Sequence, residues 1–299
     1  MEVRTLGTPR SVLAALLMVQ VFFGLWHVAG AAVLEQISPR ALIGFRVWGG
    51  APLLLALAAV SASRIPSRRD LLVLAGVAIP GVVINQLFYA EGLDRAGPIN
   101  ASILMLTIPV LTFLFALALR EEVFSRRRMA GLALALLGAA ILVDPSSFQG
   151  QPERALGNGL IVLNASAYAL YLVIARPVFS RVGFLPGIAW VFAFGALEIT
   201  PFVLSDVLAT DWGGLPAWSH GALAFILLGP TLGAYALNAY ALARAEASTV
   251  GAWILLQPVI ASLAAWVVLD AALHPQALTG GVVVAAGVLL VTQSVQTER

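Results

Sequence analysis

Ten apolar runs follow one another along this chain, separated only by short polar punctuation. They cover 11–34, 40–60, 71–91, 98–119, 128–143, 156–178, 184–206, 220–242, 247–270 and 276–295. The hydrocarbon core of a bilayer is about 30 Å thick, and a helix rising about 1.5 Å per residue crosses it in about 20 residues. Nine of the runs match that length; 128–143 is shorter, so its start is the least defined. The runs are rich in Leu, Ala and Val and lack the alternation, about 10 residues long, of a membrane barrel strand. The reading is an all-α integral membrane protein with ten transmembrane helices. At 60% hydrophobic and 11% charged residues, the chain cannot coat a soluble globule, whose charged fraction is about 25%. The same numbers exclude disorder. Ten spans use nearly all of the 299 residues and leave no soluble catalytic domain. The first run follows Arg4 and Arg10 and carries Ala29-Gly30-Ala31 near its end, as a signal peptide would. Its apolar core exceeds the usual length of about 7–15 residues, so it is read as a retained helix.

Much chemistry is excluded by what is missing. There is no cysteine, which removes disulfides, thiolate metal sites and cysteine nucleophiles. The three histidines, His27, His220 and His274, lie far apart without an H-E-x-x-H spacing, and there is no phosphate-binding P-loop. No metal, no cofactor and no enzyme activity are expected. All 17 basic residues are arginines, scattered between apolar runs, and the net charge is only +2. That is no footprint for nucleic acid.

Arginine placement sets the orientation. With the N-terminus in the cytoplasm, inner segments hold thirteen arginines, among them Arg64, Arg68, Arg69 and the run Arg126-Arg127-Arg128. Outer segments hold three, Arg40, Arg95 and Arg154, and Arg46 lies within a span. Both termini are expected in the cytoplasm.

The second half of the chain repeats the first at an offset of 149 residues. Pro52 falls on Pro201, Pro80-Gly81 on Gly229-Pro230, Pro109 on Pro258, Gly131 on Gly280 and Gly138 on Gly287. Helix-breaking residues in register are better support than leucine matches. Each half, 1–150 and 151–299, then holds five spans, an odd number, so the second half enters the membrane from the opposite side. Two inverted five-helix repeats are the architecture of many secondary transporters. The paired breaks Pro80, Gly81, Pro109, Gly229, Pro230 and Pro258 are the expected hinges.

The segments NASILMLTIPVLTFLFALALREE (100–122) and STVGAWILLQPVIASLAAWVVLD (248–270) each lead into two glycines seven residues apart, at 131–138 and 280–287. On these segments the chain resembles the drug/metabolite transporter superfamily, EamA type, over nearly its whole length, and within it most resembles the aromatic amino acid exporters of bacterial inner membranes. The resemblance implies a multi-pass protein of the bacterial cytoplasmic membrane that exports small amphipathic metabolites by alternating access. It covers multidrug and other metabolite exporters too, proton-coupled ones among them. The implied partners are a small-molecule substrate and the lipid bilayer; a monomer suffices, and the oligomeric state is left open.

Polar side chains in hydrocarbon are costly and face a cavity or a partner. The candidates are Gln20 and His27 on the first span, Arg46 on the second, and Asn85, Gln86 and Tyr89 on the third. Asn164, Tyr168 and Tyr171 share a face of the sixth, Glu198 lies on the seventh, and Tyr235 and Asn238 on the eighth. Trp253 and Gln257 are one turn apart on the ninth. Two readings stand for these groups: hydrogen bonds that hold helices together, or a central site lined by aromatics and a few polar groups. Arg46 either pairs with Glu198 or clamps a carboxylate. Asn164, Gln257 or Glu198 would meet an ammonium group, with Tyr89, Tyr168, Tyr171 and Trp253 packed on an apolar side chain. His27 is either a proton carrier or a neutral hydrogen-bonding group. Glu121 and Asp270 are read as capping or gate-pairing residues.

Overall fold

A computed structural model describes residues 9–61, 65–143, 151–260, 263 and 275–294. Among these residues the regular structure is helical throughout, with no strand. In chain order the helices are α1 (Arg10–Leu34), α2 (Pro39–Val60), α3 (Arg68–Gly97), α4 (98–118) and α5 (Arg126–Val143). They continue with α6 (Ala155–Val182), α7 (Phe184–Ala209), α8 (Ala217–Leu242), α9 (Ala247–Ile260) and α10 (Pro275–Ser294). Five of them, α2, α3, α6, α7 and α8, are 22 to 30 residues long and apolar enough to cross a membrane. Leu72, Leu197 and Val282 are 77%, 73% and 71% exposed on the outer surface. Such a surface suits lipid, not water. The protein is a multi-pass membrane protein.

Local chemistry sets the ends. Ser38 caps α2, its Oγ accepting the Ala41 amide at 3.1 Å, with Pro39 in the first turn. Ser67 caps α3 in the same way from Asp70. Two of the joints need glycine. Gly97 (φ 80°) separates α3 from α4, and Gly183 (φ 94°) separates α6 from α7. The sequence boundaries hold with small shifts: α3 runs on to Gly97 and α5 starts at Arg126, because the arginines there join the helix. The far part of the ninth run, with Asp270, lies outside the described residues, as does His274.

The long helices are not uniform. α3 carries a π-helical segment at Ile79–Ile84, and α8 carries one at Leu227–Gly233. Pro80, Gly81, Gly229 and Pro230, the expected hinges, lie in these two segments. A proline lacks the N–H that the α-helical ladder needs, and the wider i→i+5 turn accommodates that gap. Pro109 follows a break in α4 at 106–107, and Pro258 follows a 3-10 stretch, Trp253–Leu256, in α9.

Small residues bring helices close. A Cβ on Gly138 would lie 2.5 Å from the Val284 nitrogen, and one on Gly287 2.4 Å from the Ala135 nitrogen, so α5 and α10 touch backbone to backbone. Gly44 of α2 packs on Val203 and Val207 of α7. Gly81 in the α3 π segment packs on Tyr171 of α6, and Gly195 of α7 packs on Val82 of that segment. In the other half, Gly229 and Gly233 pack on Phe22 of α1, and Gly50 of α2 packs on Thr231 of the α8 π segment.

Candidate functional site

A void lies where α1, α2, α3, α4, α6, α8 and α9 converge. Small-molecule sites are mostly apolar, with a few fixed polar groups. Phe23, Trp26, Tyr89, Tyr168 and Tyr235 give the wall its aromatic character, with Met105, Ile108 and Ile254 beside them. Arg46, Asn85, Gln86, Asn164 and Gln257 supply the polar groups. No acidic residue lines it among the described residues.

Among the described residues, Arg46 is the single lining residue that carries a charge. It is only 3% exposed. Its Nε donates to Thr231 Oγ1 at 3.1 Å and its Nη1 to Gln86 Oε1 at 2.9 Å. The guanidinium carbon stands 4.1 Å from the centre of the Trp26 ring, a cation–π contact. All three partners are neutral. Arg46 and Glu198 do not pair with each other, because both bonded nitrogens of Arg46 are turned to Thr231 and Gln86; Glu198 Oε2 is buried without a partner. A buried cation held only by dipoles and a ring face leaves its charge uncompensated. An anion entering the void would meet it.

The remaining polar groups form one chain of hydrogen bonds through Gln86, Tyr235, Asn85 and Asn164, and two separate pairs. Gln86 Nε2 donates to Tyr235 OH at 2.5 Å, and Tyr235 OH donates to Asn85 Oδ1 at 3.4 Å. Asn164 Nδ2 donates to the Asn85 carbonyl oxygen at 2.6 Å. A carbonyl can only accept, so this bond fixes which way the Asn164 amide faces. Asn164 Oδ1 is then a buried acceptor without a partner. Asn238 Nδ2 donates to Tyr168 OH at 3.2 Å, and Gln257 Nε2 donates to Gln20 Oε1 at 3.0 Å.

The expected site residues divide into groups. Arg46, Asn85, Tyr89, Asn164, Tyr168 and Gln257 all line the void. Gln20 lies one layer behind, bonded to Gln257. Tyr171 lies away from the lining: its ring is buried between Tyr168 and Phe179, against Gly81. Trp253 also turns away, its Nε1 donating to Thr292 Oγ1 of α10 at 3.3 Å. The His27 side chain lies outside the described residues. Trp26, Phe23, Met105, Ile108 and Ile254 line the void without having been singled out from the sequence. The signal available for Trp26 was its place beside the Gln20 face of α1; for the aliphatic residues there was none.

The comparisons with known proteins agree with this architecture. The EamA-like transporter family matches residues 10–144 and again 155–293. An uncharacterized transporter of Archaeoglobus fulgidus is 26% identical over 87% of this chain and 89% of its own length. A probable terminal-alkyne amino-acid exporter of Streptantibioticus cattleyicolor is 26% identical over 77% of this chain and 76% of its own. The uncharacterized transporter YetK of Bacillus subtilis is 24% identical over 81% and 74%. A solved crystal structure has the same fold, with a TM-score of 0.77 at 20% identity, over 94% of this chain and 96% of that one. Members of the family are transporters and not enzymes, and two matches that together span nearly all of the sequence leave one conclusion. This chain belongs to the EamA-like transporter family.

Proposed function

We propose that this transporter exports amino acids with large apolar or aromatic side chains, and related amphipathic metabolites, by alternating access through the central void. The observation that carries the reading is Arg46, a buried guanidinium with neutral partners only, facing a void walled by aromatic rings. Guanidinium binds carboxylate through parallel hydrogen bonds, and Nη2 of Arg46 is not engaged by Thr231 or Gln86. The free Asn164 Oδ1 suits the ammonium group. Tyr168 and Tyr89 offer rings to an apolar side chain. The amino-acid exporter among the relatives is consistent with such a cargo. Phosphorylated cargo would call for several cations, and the lining has one among the described residues.

The transport cycle follows from two inverted halves, 1–150 and 151–299, of five spans each, in the cytoplasmic membrane of a bacterium with both termini inside. Three features support that arrangement. The two π segments fall in register at the sequence offset of 149 residues. The α3 segment packs on α6 and α7, and the α8 segment packs on α1 and α2, the exchange that an inversion axis demands. Three pairs of residues 149 apart line the same void: Gln86 with Tyr235, Met105 with Ile254, and Ile108 with Gln257. A void that straddles the axis opens to either side as the halves exchange conformations.

Uptake and counterflow in liposomes made with the purified protein test the substrate class. Radiolabelled phenylalanine, tryptophan and leucine should show saturable exchange, with and without a pH gradient. Absence of exchange for every amino acid refutes the cargo. Thiol labelling of cysteines placed at the two termini tests the topology, and reaction from opposite sides of the membrane refutes it.

A further inference from the structure

A second polar cluster lies away from the void, where the α4–α5 connection meets the start of α9. Arg128 reaches two carboxylates at once. Its Nη1 donates to Glu122 Oε2 at 2.6 Å, and its Nη2 donates to Glu246 Oε2. Glu122 also accepts from Ser248 twice, from the backbone N at 3.0 Å and from Oγ at 2.5 Å. The Glu122 and Arg128 side chains are 1% and 5% exposed, and Glu246, at 14%, stands at the edge of the cluster. Arg176 and Ser180 of α6 hold the neighbouring carbonyls of Ala245 and Ala243, at 2.9 and 3.1 Å.

The cluster closes a seam that leads to the void. Ile108 of α4 and Ile254 of α9 line the void. One turn nearer the cluster, Thr112 of α4 meets Gly251 of α9, where a Cβ would lie 3.1 Å from Thr112 Oγ1 and 3.3 Å from its Cβ. The next groups along the seam are Ser248 on α9 and Glu122 beyond α4. Parting the end of α4 and its connection into α5 from the start of α9 would separate Glu122 from Ser248 and Arg128 from Glu246. An apolar seam would resist opening to water. A buried ion cluster behaves differently: it fixes one closed geometry, yet its groups regain hydration when exposed.

We propose that Arg128, Glu122 and Glu246 are a latch that holds α4 against α9 beneath the void and releases when the void opens at that end. The proposal rests on the alternating-access reading, and the proposed topology puts this end in the cytoplasm. It does not depend on the identity of the cargo.

The absence of native cysteine makes a clean test. Thr249, beside Ser248, is fully buried with an unpartnered Oγ1, so Thr249→Cys is a mild reporter. Ser219, at the start of α8, is likewise buried and unpartnered, and Ser219→Cys reports on a site outside the latch. The purified protein in detergent, without substrate, is reacted with a maleimide. Arg128→Gln and Glu246→Gln should each speed reaction at the Thr249→Cys site by about tenfold or more, the change expected when a charge-assisted hydrogen bond is lost. Arg128→Lys should keep it slow, and the Ser219→Cys site should stay protected throughout. Unchanged reaction at the first site overturns the latch, and so does an equal rise at both sites, which would mean general loosening. Because no substrate enters the assay, a failure of amino acid exchange in liposomes leaves this result standing.

Discussion

Replacing Arg46 with glutamine separates recognition from architecture, because the two predict different changes in stability. A guanidinium that is a structural ion-pair partner lowers stability by about 3–5 kcal/mol when removed, since it strands a buried charge. Arg46 has no such partner; its bonds go to Thr231, Gln86 and the Trp26 ring. Arg46→Gln gives up two hydrogen bonds from a charged donor, each worth about 1.5–3 kcal/mol, and relieves the desolvation of an uncompensated cation, a cost of several kcal/mol. The two nearly offset, and thermal unfolding in detergent should show Tm little changed. Substrate binding should suffer. A hydrogen bond between charged groups contributes about 1.5–3 kcal/mol, which is about 10- to 150-fold in affinity. In liposome uptake the KM for phenylalanine should rise by that factor. Phenylalanine amide, which lacks the carboxylate, should be handled alike by both proteins. A KM that stays constant for the amino acid, or a Tm that falls sharply, refutes the assignment of Arg46 as a carboxylate clamp.

Other perturbations probe the wall, the helix contacts and the hinges. Tyr168→Ala and Gln257→Ala remove lining groups and should lower uptake while membrane expression on immunoblots stays normal; normal uptake by both would displace the site. Gly287→Val and Gly138→Val drive a side chain into backbone less than 3 Å away, beyond the range of overpacking that costs about 1–3 kcal/mol. Each should unfold well below the parent, whereas Gly159→Ala, with nothing within 4 Å, should match it. Pro230→Ala restores an N–H inside the α8 π segment and favours a regular α-helix. Turnover should fall with little change in KM, and a normal turnover number would remove Pro230 from the hinge.

The span ends were legible because bilayer thickness, capping serines and glycine joints act locally. The 149-residue register was legible for the same reason: proline and glycine mark backbone events wherever they fall. Side-chain direction was harder. Trp253 and Gln257 lie four residues apart, which in an α-helix gives nearly one face. The 3-10 stretch Trp253–Leu256 winds more tightly, at about 3.0 residues per turn, so Gln257 meets the void while Trp253 turns to Thr292. Tyr171 shares the face of Asn164 and Tyr168, but at its depth Gly81 brings the α3 backbone against the ring and shuts the space. Glu122 escaped notice beside Glu121 because nothing in the order of residues reveals that the α4–α5 connection folds back onto α9.

The proposed repeat also bears on why Arg46 has no counterpart in the second half. Under the inverted arrangement, the residue matching Arg46 is Gly195. An added Cβ there would lie 2.6 Å from Val82 Cγ1, so no long side chain fits at that position in the second half. Arg46, by contrast, has Trp26, Gln86 and Thr231 around it. The same divergence sets Ile108 opposite Gln257 and Gln86 opposite Tyr235. In the proposed cycle, paired backbone breaks let both halves bend, and unlike side chains at the void suit a cargo with unlike ends. A void with equivalent walls would bind such a cargo in two orientations; under the proposed function the Arg46 guanidinium would select one, with the carboxylate on the α2 side. Exchanging Arg46 and Gly195 should therefore not transplant the site, since α7 at position 195 is packed against the π segment of α3. The double variant should lose both Tm and uptake, and a stable, active one would show that the two walls are interchangeable.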